Sequence, residues 1–191
     1  MIQPYDAPSY FIIIGALLLP IIIGLLRGKR YLVYQNIVTL IMLFLTFGGK
    51  SWHQGISIII YLIWQWALVY SYFNYRQKKN ATNIFVGAVL LAIAPLAIVK
   101  IVPFTSGHVS IIGFLGISYL TFKAVQMVME IRDGLIKEFD PKMFLQFLLF
   151  FPTISSGPID RYRRFEKDFK QPPVKEEYIA LISKGIWMIM L

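Results

Sequence analysis

Residues 113–160 read GFLGISYLTFKAVQMVMEIRDGLIKEFDPKMFLQFLLFFPTISSGPID, and the rest of the chain is organised around them. The first half of this stretch has the length of a membrane helix and carries a row of polar side chains. The row is Tyr119, Lys123, Gln126, Glu130 and Asp133, at spacings of four, three, four and three residues, which match one face of a helix. Because an ionisable side chain at bilayer depth costs about 2.5–3.5 kcal/mol, Lys123 and Glu130 are expected to face protein or a watery cavity. The row then either fixes helix packing or lines a functional cavity.

Lys123 and Glu130 are seven residues apart, which is about 10 Å along a helix. They share a face, but this separation is too long for a direct salt bridge. We expect both to belong to one buried polar network, bridged by Gln126 or by groups on neighbouring helices.

The composition is that of a membrane protein. Of the 191 residues, 57% are hydrophobic and only 15% are charged, whereas soluble domains are about 45–50% apolar and 25% charged. The net charge of +9 comes from short basic clusters between apolar runs, not from one basic face, so nucleic acid is not predicted as a partner. The chain has no cysteine, which excludes disulfides, a thiol nucleophile and thiolate metal ligands.

The sequence predicts an all-α, polytopic transmembrane protein with about five spans, a re-entrant segment and the start of a further span. The spans are apolar runs close to the roughly 20 residues that a crossing helix needs. They cover residues 9–26, 31–47, 56–75, 84–102 and 109–131. Pro95 is expected to kink the fourth span. Residues 1–191 are expected to form a single transmembrane region.

The distribution of basic residues predicts the orientation. Fifteen Lys and Arg residues fall on one predicted side of the membrane, and two, Lys50 and Lys100, fall on the other. The larger set is Arg27, Lys29, Arg30, Arg76, Lys78, Lys79, Arg132, Lys137, Lys142, Arg161, Arg163, Arg164, Lys167, Lys170 and Lys175. Because cytoplasmic loops carry the excess of basic residues, the chain is predicted to be a multi-pass cell-membrane protein with its N-terminus outside.

Residues 142–159 form an unusual segment. Asp140 and Pro141 indicate a helix start, because a carboxylate caps the first turn and proline suits the first helical position. The apolar run that follows is too short to cross and meets Pro152, two serines and a Gly-Pro pair. This pattern favours a re-entrant helix broken at Pro152, with residues 153–158 lining protein or a water-filled cavity. The alternative is an ordinary helix and loop at the membrane surface.

A basic, aromatic helix is predicted next. Helical spacing relates Ile159, Tyr162, Phe165, Glu166 and Phe169, with Arg161, Arg164 and Lys167 elsewhere on the wheel. Such a helix lies in the cytoplasmic headgroup region, where it either binds anionic lipid or contacts a protein partner. Arg161, Arg163 and Arg164 are the candidates for this cytoplasmic interface.

The last apolar run covers residues 178–191 and is about fourteen residues long, which is short of a crossing. A helix ending there would leave its last four carbonyls unpaired at bilayer depth. We therefore expect the chain to be the N-terminal part of a longer protein.

The two histidines, His53 and His108, fall in predicted outside loops, and neither has a partner at metal-ligand spacing. No GxSxG elbow, glycine-rich phosphate loop or HExxH pattern occurs. The sequence therefore predicts no metal site and no catalytic residue in this chain, and both histidines are interpreted as structural or solvated.

Two segments carry a resemblance to a known family. GISYLTFKAVQMVMEIRDG at 116–134 and FFPTISSGPIDRYRRF at 150–165 are similar to the paired motifs of the membrane-bound O-acyltransferase (MBOAT) family. The resemblance is closest to the branch that acts in teichoic acid D-alanylation. It extends over the whole chain and is most specific between residues 115 and 169.

The resemblance implies an acyl transfer in which a histidine deep in the membrane activates an acceptor hydroxyl. The implied donor is a D-alanyl thioester on the phosphopantetheine of a small cytosolic carrier protein, and the implied acceptor is a teichoic acid hydroxyl outside. No cofactor is expected to bind the chain directly. The family's histidine lies in a later segment, and neither His53 nor His108 matches its motif, so the chain alone is expected to be inactive.

The positions carried over from the family surround its central cavity. The resulting candidates for a cavity or tunnel lining are Tyr119, Lys123, Gln126, Glu130, Thr153, Ser155, Ser156, Gly157 and Pro158. A transporter or channel subunit is the alternative function, because broken helices and charges near the midplane are also typical of transporters. Inverted repeats would favour a transporter, but residues 150–158 have no earlier counterpart. A non-catalytic membrane scaffold is the third interpretation.

Overall fold

The structure is a computed structural model that describes residues 8–29, 31–47, 52–106, 116–150, 153–154, 160–171 and 174–190. In these ranges the chain forms eight α-helices and no β-strand, which confirms the all-α prediction. The helices are α1 (Pro8–Leu26), α2 (Leu32–Phe47), α3 (Trp52–Lys78), α4 (Thr82–Ser106), α5 (Ile117–Arg132), α6 (Pro141–Leu149), α7 (Tyr162–Lys170) and α8 (Lys175–Met190). The number of membrane spans stays a prediction.

The first of two compact units comprises residues 1–49 and 167–191, and within it α1 contacts both α2 and α8. The turn after α1 is tight: the Lys29 N–H donates to the Gly24 carbonyl at 2.8 Å. The Tyr34 hydroxyl of α2 donates to the Leu17 carbonyl of α1 at 3.0 Å. A Cβ at Gly24 would lie 2.7 Å from the ring of Tyr31 and 2.9 Å from the Lys29 carbonyl. Glycine is therefore required at this close approach.

The second unit comprises residues 50–166, and α5 is its central helix, in contact with α3, α4 and α6. The buried apolar residues of α5 are Ile117, Leu120, Ala124, Met127, Val128 and Ile131. The hydroxyls of Tyr61 and Thr121 lie 2.9 Å apart and join α3 to α5. Because both groups are buried, this contact fixes the relative position of the two helices.

Pro95 lies inside α4 and has no N–H to donate to the carbonyl four residues earlier, that of Leu91. A side chain of α3 replaces the missing donor: the indole Nε1–H of Trp64 donates to the Leu91 carbonyl at 3.1 Å. The next residue of α3, Gln65, donates through Nε2 to the Ala92 carbonyl at 2.8 Å. α4 therefore continues as one helix through Pro95, with α3 attached at the turn that the proline weakens.

Two glycines with left-handed backbone angles bracket α5. Gly116 has φ 89° and immediately precedes Ile117, the first residue of α5. A left-handed residue interrupts a right-handed helix, so α5 begins after Gly116. Gly116 interrupts the continuous helix predicted from residue 109, whose first residues lie outside the described ranges. Gly134 follows the end of α5 and has φ 70°. The N–H of the next residue, Leu135, donates to the Glu130 carbonyl at 3.0 Å, as in a Schellman termination.

The start of α6 confirms the predicted cap. The Asp140 carboxylate accepts hydrogen bonds from the N–H groups of Lys142 at 2.9 Å and Met143 at 3.2 Å, and Pro141 is the first helical residue. α6 ends at Leu149 after nine residues, about 13 Å of helix. Pro152 lies outside the described residues, and the re-entrant path stays a prediction.

Large apolar side chains are exposed on α1–α4 and α8, including Phe44 at 71%, Ile63 at 61%, Leu90 at 63% and Trp187 at 65%. Among the described residues, two helical stretches are long and apolar enough to cross a bilayer: Gly55–Lys78 and Thr82–Pro103. Apolar area on this scale is unfavourable in water and favourable against lipid tails. The surface therefore agrees with the predicted membrane location.

Candidate functional site

The site is built around Lys123, a lysine that is 2% exposed in the middle of α5. Its Nζ donates to the Phe147 carbonyl at 2.9 Å and to the Thr153 hydroxyl at 2.7 Å. The Phe147 carbonyl belongs to the last turn of α6, where carbonyls lack intrahelical donors and carry the negative end of the helix dipole. The end of α6 is therefore suited to accept a cation, and Lys123 supplies it.

A cavity of about 390 Å³ adjoins this ammonium. Its described lining residues are Lys123, Phe147, Phe150, Thr153, Asp160, Arg164 and Phe165. The Nε of Arg164 lies 3.9 Å from the Asp160 carboxylate, and both side chains are exposed, at 76% and 40%. An exposed pair at this distance is weak. The described lining of the cavity thus combines a buried cation, an exposed ion pair and aromatic side chains.

The structure brings together three of the residues singled out from the sequence: Lys123, Thr153 and Arg164 all line the cavity. Five others are described but are not among its lining residues: Tyr119, Gln126, Glu130, Arg161 and Arg163. Tyr119 and Gln126 are half-buried, Arg161 and Arg163 are exposed, and Asp133 at the end of the polar row is exposed. Ser155, Ser156, Gly157 and Pro158 lie outside the described residues.

Glu130 is 6% exposed and lies in the last turn of α5. Its carboxylate is 3.8 Å from the Nε of Arg163 on α7, an ion-pair distance that is too long for a hydrogen bond. The partner of Glu130 is therefore different from those of Lys123. The Oε1 atom of Gln126 is buried and accepts no hydrogen bond from a described residue. The bridge between Lys123 and Glu130, through Gln126 or through groups on neighbouring helices, stays a prediction.

Tyr162 packs against Phe147, which lines the cavity. Its side chain is fully buried, and its ring meets that of Phe147 edge-on, with centroids 5.7 Å apart and planes at 87°. The hydroxyl has no hydrogen-bond partner among the described residues. Burial raises the pKa of Tyr162, and the carboxylates of Glu166 and Asp140 raise it further. The phenol is consequently neutral at physiological pH and serves to fill space.

Sequence reasoning missed four lining residues: Phe147, Phe150, Asp160 and Phe165. The three phenylalanines form one aromatic cluster, with centroids 5.4 Å apart between Phe147 and Phe165 and 5.3 Å between Phe150 and Phe165. Phenylalanine is abundant in this chain, so its identity marks no site. Asp160 offered a usable signal, because a lone acid between the Gly-Pro pair and three arginines has cationic neighbours on one side.

Other chemistry is limited in the part of the chain that the structure describes. No group of three or more His, Asp or Glu side chains there could hold a metal ion. His108 lies outside the described residues, and the backbone of His53 is in the first turn of α3.

Comparison with known proteins identifies relatives along the whole chain, although no family model matches it. The chain is 50% identical to a teichoic acid D-alanyltransferase of Lacticaseibacillus rhamnosus, over 100% of this chain and 48% of the relative. It is 49% identical to one of Bacillus subtilis, over 98% and 49%, and 42% identical to one of Streptococcus thermophilus, over 100% and 46%. These matches confirm the resemblance seen in the two motif segments. The chain spans about half the length of the curated relatives it matches.

Proposed function

The chain is homologous along its whole length to the teichoic acid D-alanyltransferases, and from this we propose that it contributes to a membrane O-acyltransferase of the MBOAT type. The observation that carries the proposal is the identity of 42–50% to three proteins with that name. All three names describe a transferase, which favours the acyltransferase over the transporter, channel or scaffold interpretations. The reaction is D-alanine transfer to teichoic acid.

The proposed reaction is a transesterification. A teichoic acid hydroxyl oxygen attacks the carbonyl carbon of a D-alanyl thioester, the C–S bond breaks, and a C–O ester bond forms. The hydroxyl proton passes through a general base to the sulfur, which leaves as a thiol. The thioester is carried by the phosphopantetheine of a cytosolic D-alanyl carrier protein, so the chain itself binds no resident cofactor.

The described residues of this chain fit a supporting role around the path of the reactants. Lys123 joins α5 to the end of α6 through the Phe147 carbonyl and Thr153, and this keeps the cavity walls in place. Non-helical backbone at membrane depth needs a protein or water-filled surrounding, and Phe150 and Thr153, which follow α6, line the cavity. We assign the general base to a residue other than His53 and His108, because neither matches the family motif.

The exposed arginines at the start of α7 are proposed to face the cytosol. Arg161, Arg163 and Arg164 are all exposed, and the excess of fifteen basic residues to two supports a cytoplasmic location for them. A cationic surface there suits an acidic donor protein, because charge complementarity increases the rate of encounter. The acceptor approaches from the opposite side.

The test is genetic and chemical. Deleting the gene from its host should abolish ester-linked D-alanine, measured as D-alanine released from cell-wall teichoic acid by mild alkali. Reintroduced Lys123→Met should restore much less ester than wild type, whereas Lys29→Met, which removes a lysine from the exposed turn after α1, should restore it fully. Unchanged ester in the deletion strain would overturn the proposed function.

A second assay tests the assignment of the base. The purified chain, mixed with D-alanyl carrier protein and teichoic acid, is expected to give no turnover above background, since a general base contributes about 10²–10⁴-fold. Turnover that is lost in His53→Ala or His108→Ala would show that the base lies in this chain.

A further inference from the structure

A second cavity, of about 230 Å³, lies where the last turn of α3 meets the turn that follows α5. Its described lining residues are Arg76, Gln77, Ile131, Gly134, Ile136 and Lys137. It shares no described lining residue with the cavity beside Lys123. Ile131 and Ile136 are buried, so polar side chains and the backbone at Gly134 form the wall that a ligand would meet.

Arg76 is fixed beside this cavity by the end of α5. Its Nε donates to the Arg132 carbonyl at 3.0 Å, and a Cβ at Gly134 would lie 3.9 Å from its Nη2. The hydroxyl of Tyr72 is also close to Arg76, but this group is uncharged. A guanidinium carries five N–H donors in a fixed fork. Because no described residue accepts a hydrogen bond from the Nη side of this fork, that side can donate to an acceptor in the cavity.

The described lining of this cavity carries two positive charges, those of Arg76 and Lys137, and no negative charge. No described carboxylate lies within salt-bridge distance of either cation. The acids closest in sequence, Asp133 and Glu138, do not line the cavity. When these two acids and the neighbouring Arg132 are counted as well, one positive charge remains in surplus. The charge of the cavity therefore favours an anion.

The backbone at the end of α5 does not oppose an anion. The last carbonyls of a helix carry partial negative charge and would repel an anion if they were bare. The last four carbonyls of α5 all accept hydrogen bonds, three from N–H groups of the following turn and one from Arg76. The N–H groups of Ile136 and Lys137, in contrast, donate to no described backbone carbonyl. The turn therefore offers donors to the cavity, while its acceptors are already used.

The position of Arg76 on α3 places the cavity at the membrane surface. The stretch of α3 that is apolar enough to cross a bilayer, Gly55–Lys78, ends in the same turn as Arg76. Trp66 and Tyr70 stack on each other with ring centroids 5.5 Å apart, and Tyr70 lies six residues, about 9 Å of helix, before Arg76. Trp and Tyr side chains are enriched at the headgroup level of membranes. Lipid phosphates are therefore within reach of this cavity.

We propose that this cavity binds the phosphate group of an anionic phospholipid, between the Arg76 guanidinium and the Lys137 ammonium. The planar fork of arginine matches two phosphate oxygens, and the lysine adds a point charge. The volume of about 230 Å³ is below the roughly 300–1,000 Å³ of sites that enclose a whole small molecule, so it suits a headgroup whose acyl chains remain in the bilayer. Basic pockets between membrane helices on the cytoplasmic side bind anionic headgroups in this way. The proposal is independent of the transfer reaction, so either can fail without the other.

The experiment measures lipid binding by native mass spectrometry and by thermal shift, with the full chain in an uncharged detergent. Phosphatidylglycerol should bind and raise the melting temperature, and phosphatidylcholine with the same acyl chains should bind more weakly because its choline cancels the charge. Lys137→Glu should weaken phosphatidylglycerol binding by about tenfold or more, because it replaces an attraction for the phosphate with a repulsion. Arg76→Lys keeps the charge but removes the planar fork, and should weaken binding by about threefold.

A matched control separates this cavity from the general positive charge of the loops. Lys79 is exposed, lies three residues after Arg76 and does not line the cavity. Lys79→Glu changes the net charge as much as Lys137→Glu does, but should leave the affinity for phosphatidylglycerol within about twofold, because exposed charges outside the site are screened. Both lysines are exposed, so the comparison holds even if Arg76→Lys fails to fold. Equal losses in the two glutamate variants would overturn the site in favour of diffuse attraction.

Two further probes identify the source and the chemistry of the anion. Glycerophosphoglycerol, a soluble phosphodiester, should fail to displace phosphatidylglycerol at equal concentration, because it has no acyl chains in the detergent micelle. Displacement at equal concentration would assign the site to a soluble phosphate compound and overturn the lipid. Oleate that binds as tightly as phosphatidylglycerol would overturn the choice of phosphate in favour of carboxylate.

Discussion

The ammonium of Lys123 on α5 donates a hydrogen bond of 2.7 Å to the hydroxyl of Thr153, which lies beyond the end of α6. The donor lies on α5 and the acceptor lies outside the α-helices. The donor is also charged and buried. A hydrogen bond to a charged group contributes about 1.5–3 kcal/mol. The Thr153 hydroxyl therefore helps to hold Thr153 against α5.

Thr153→Val should lower the free energy of unfolding by about 1.5–3 kcal/mol, because it keeps the shape of the side chain and removes the acceptor of a buried ammonium. Thermal unfolding in detergent measures the change. Thr153→Ser retains the hydroxyl and should recover most of the loss. Equal melting temperatures for the valine and serine variants would mean that the hydrogen bond contributes nothing.

Trp64→Phe should destabilise the chain by about 1–3 kcal/mol, because the Leu91 carbonyl that Pro95 leaves without a donor would lose its indole partner as well. Pro95→Ala restores a backbone N–H for this carbonyl. In the Pro95→Ala background, Trp64→Phe should therefore cost clearly less. A cost that is the same in both backgrounds would show that the indole acts only by packing.

Glu130→Gln and Arg163→Gln should be coupled by about 0.5–1 kcal/mol in a double-mutant cycle, since their side chains face each other at 3.8 Å and Arg163 is partly exposed. Chemical or thermal unfolding of the four proteins measures the coupling. Lys123→Met provides the contrast: with separate partners, its effect and that of Glu130→Gln should add within about 0.5 kcal/mol. Strong coupling of Lys123 to Glu130 would instead support the single buried polar network predicted from the sequence.

Tyr162→Phe should be nearly neutral at pH 7 and should alter the pH dependence of stability at high pH. The unfolded phenol ionises near its ordinary pKa of 10.0, whereas burial keeps the folded phenol neutral. The contribution of the neutral phenol to the free energy of unfolding is therefore complete below pH 10 and falls as the pH rises above 10. Phenylalanine does not ionise, so the variant cannot show this loss. Tyr162→Ala, which empties the space beside Phe147, should cost about 3–5 kcal/mol. Identical slopes above pH 10 for wild type and Tyr162→Phe would contradict the assignment.

The orientation can be tested with single cysteines, because the chain has none. Cysteines at Ser51 or Ser106 should react from outside with an impermeant thiol reagent in intact cells, and cysteines at Gln77 or Lys137 should react only after lysis. The physical reason is the excess of fifteen basic residues to two on the predicted cytoplasmic side. The reverse labelling pattern would invert the topology.

The polar face of α5 could be predicted from spacing alone, because burial of Lys123 and Glu130 follows from the cost of charge in lipid. Their partners could not. The acceptor from Phe147 is a backbone carbonyl, which has no signature in the side-chain sequence, and Trp64 finds the Leu91 carbonyl on another helix. The start of α5 could not be predicted from the sequence either, because membrane helices tolerate glycine and only its φ angle distinguishes Gly116 from a glycine inside a helix.

The hydrogen bonds of Lys123 also affect the order of events during biosynthesis, because both acceptors are synthesised after the donor. Lys123 is made 24 residues before Phe147 and 30 residues before Thr153, an interval of about 1–6 s at ribosomal rates of roughly 5–20 residues per second. Throughout this interval the ammonium has neither acceptor, and lipid offers it none. We therefore expect α5 to stay beside water or the insertion machinery until α6 emerges, and the two helices to enter the bilayer together.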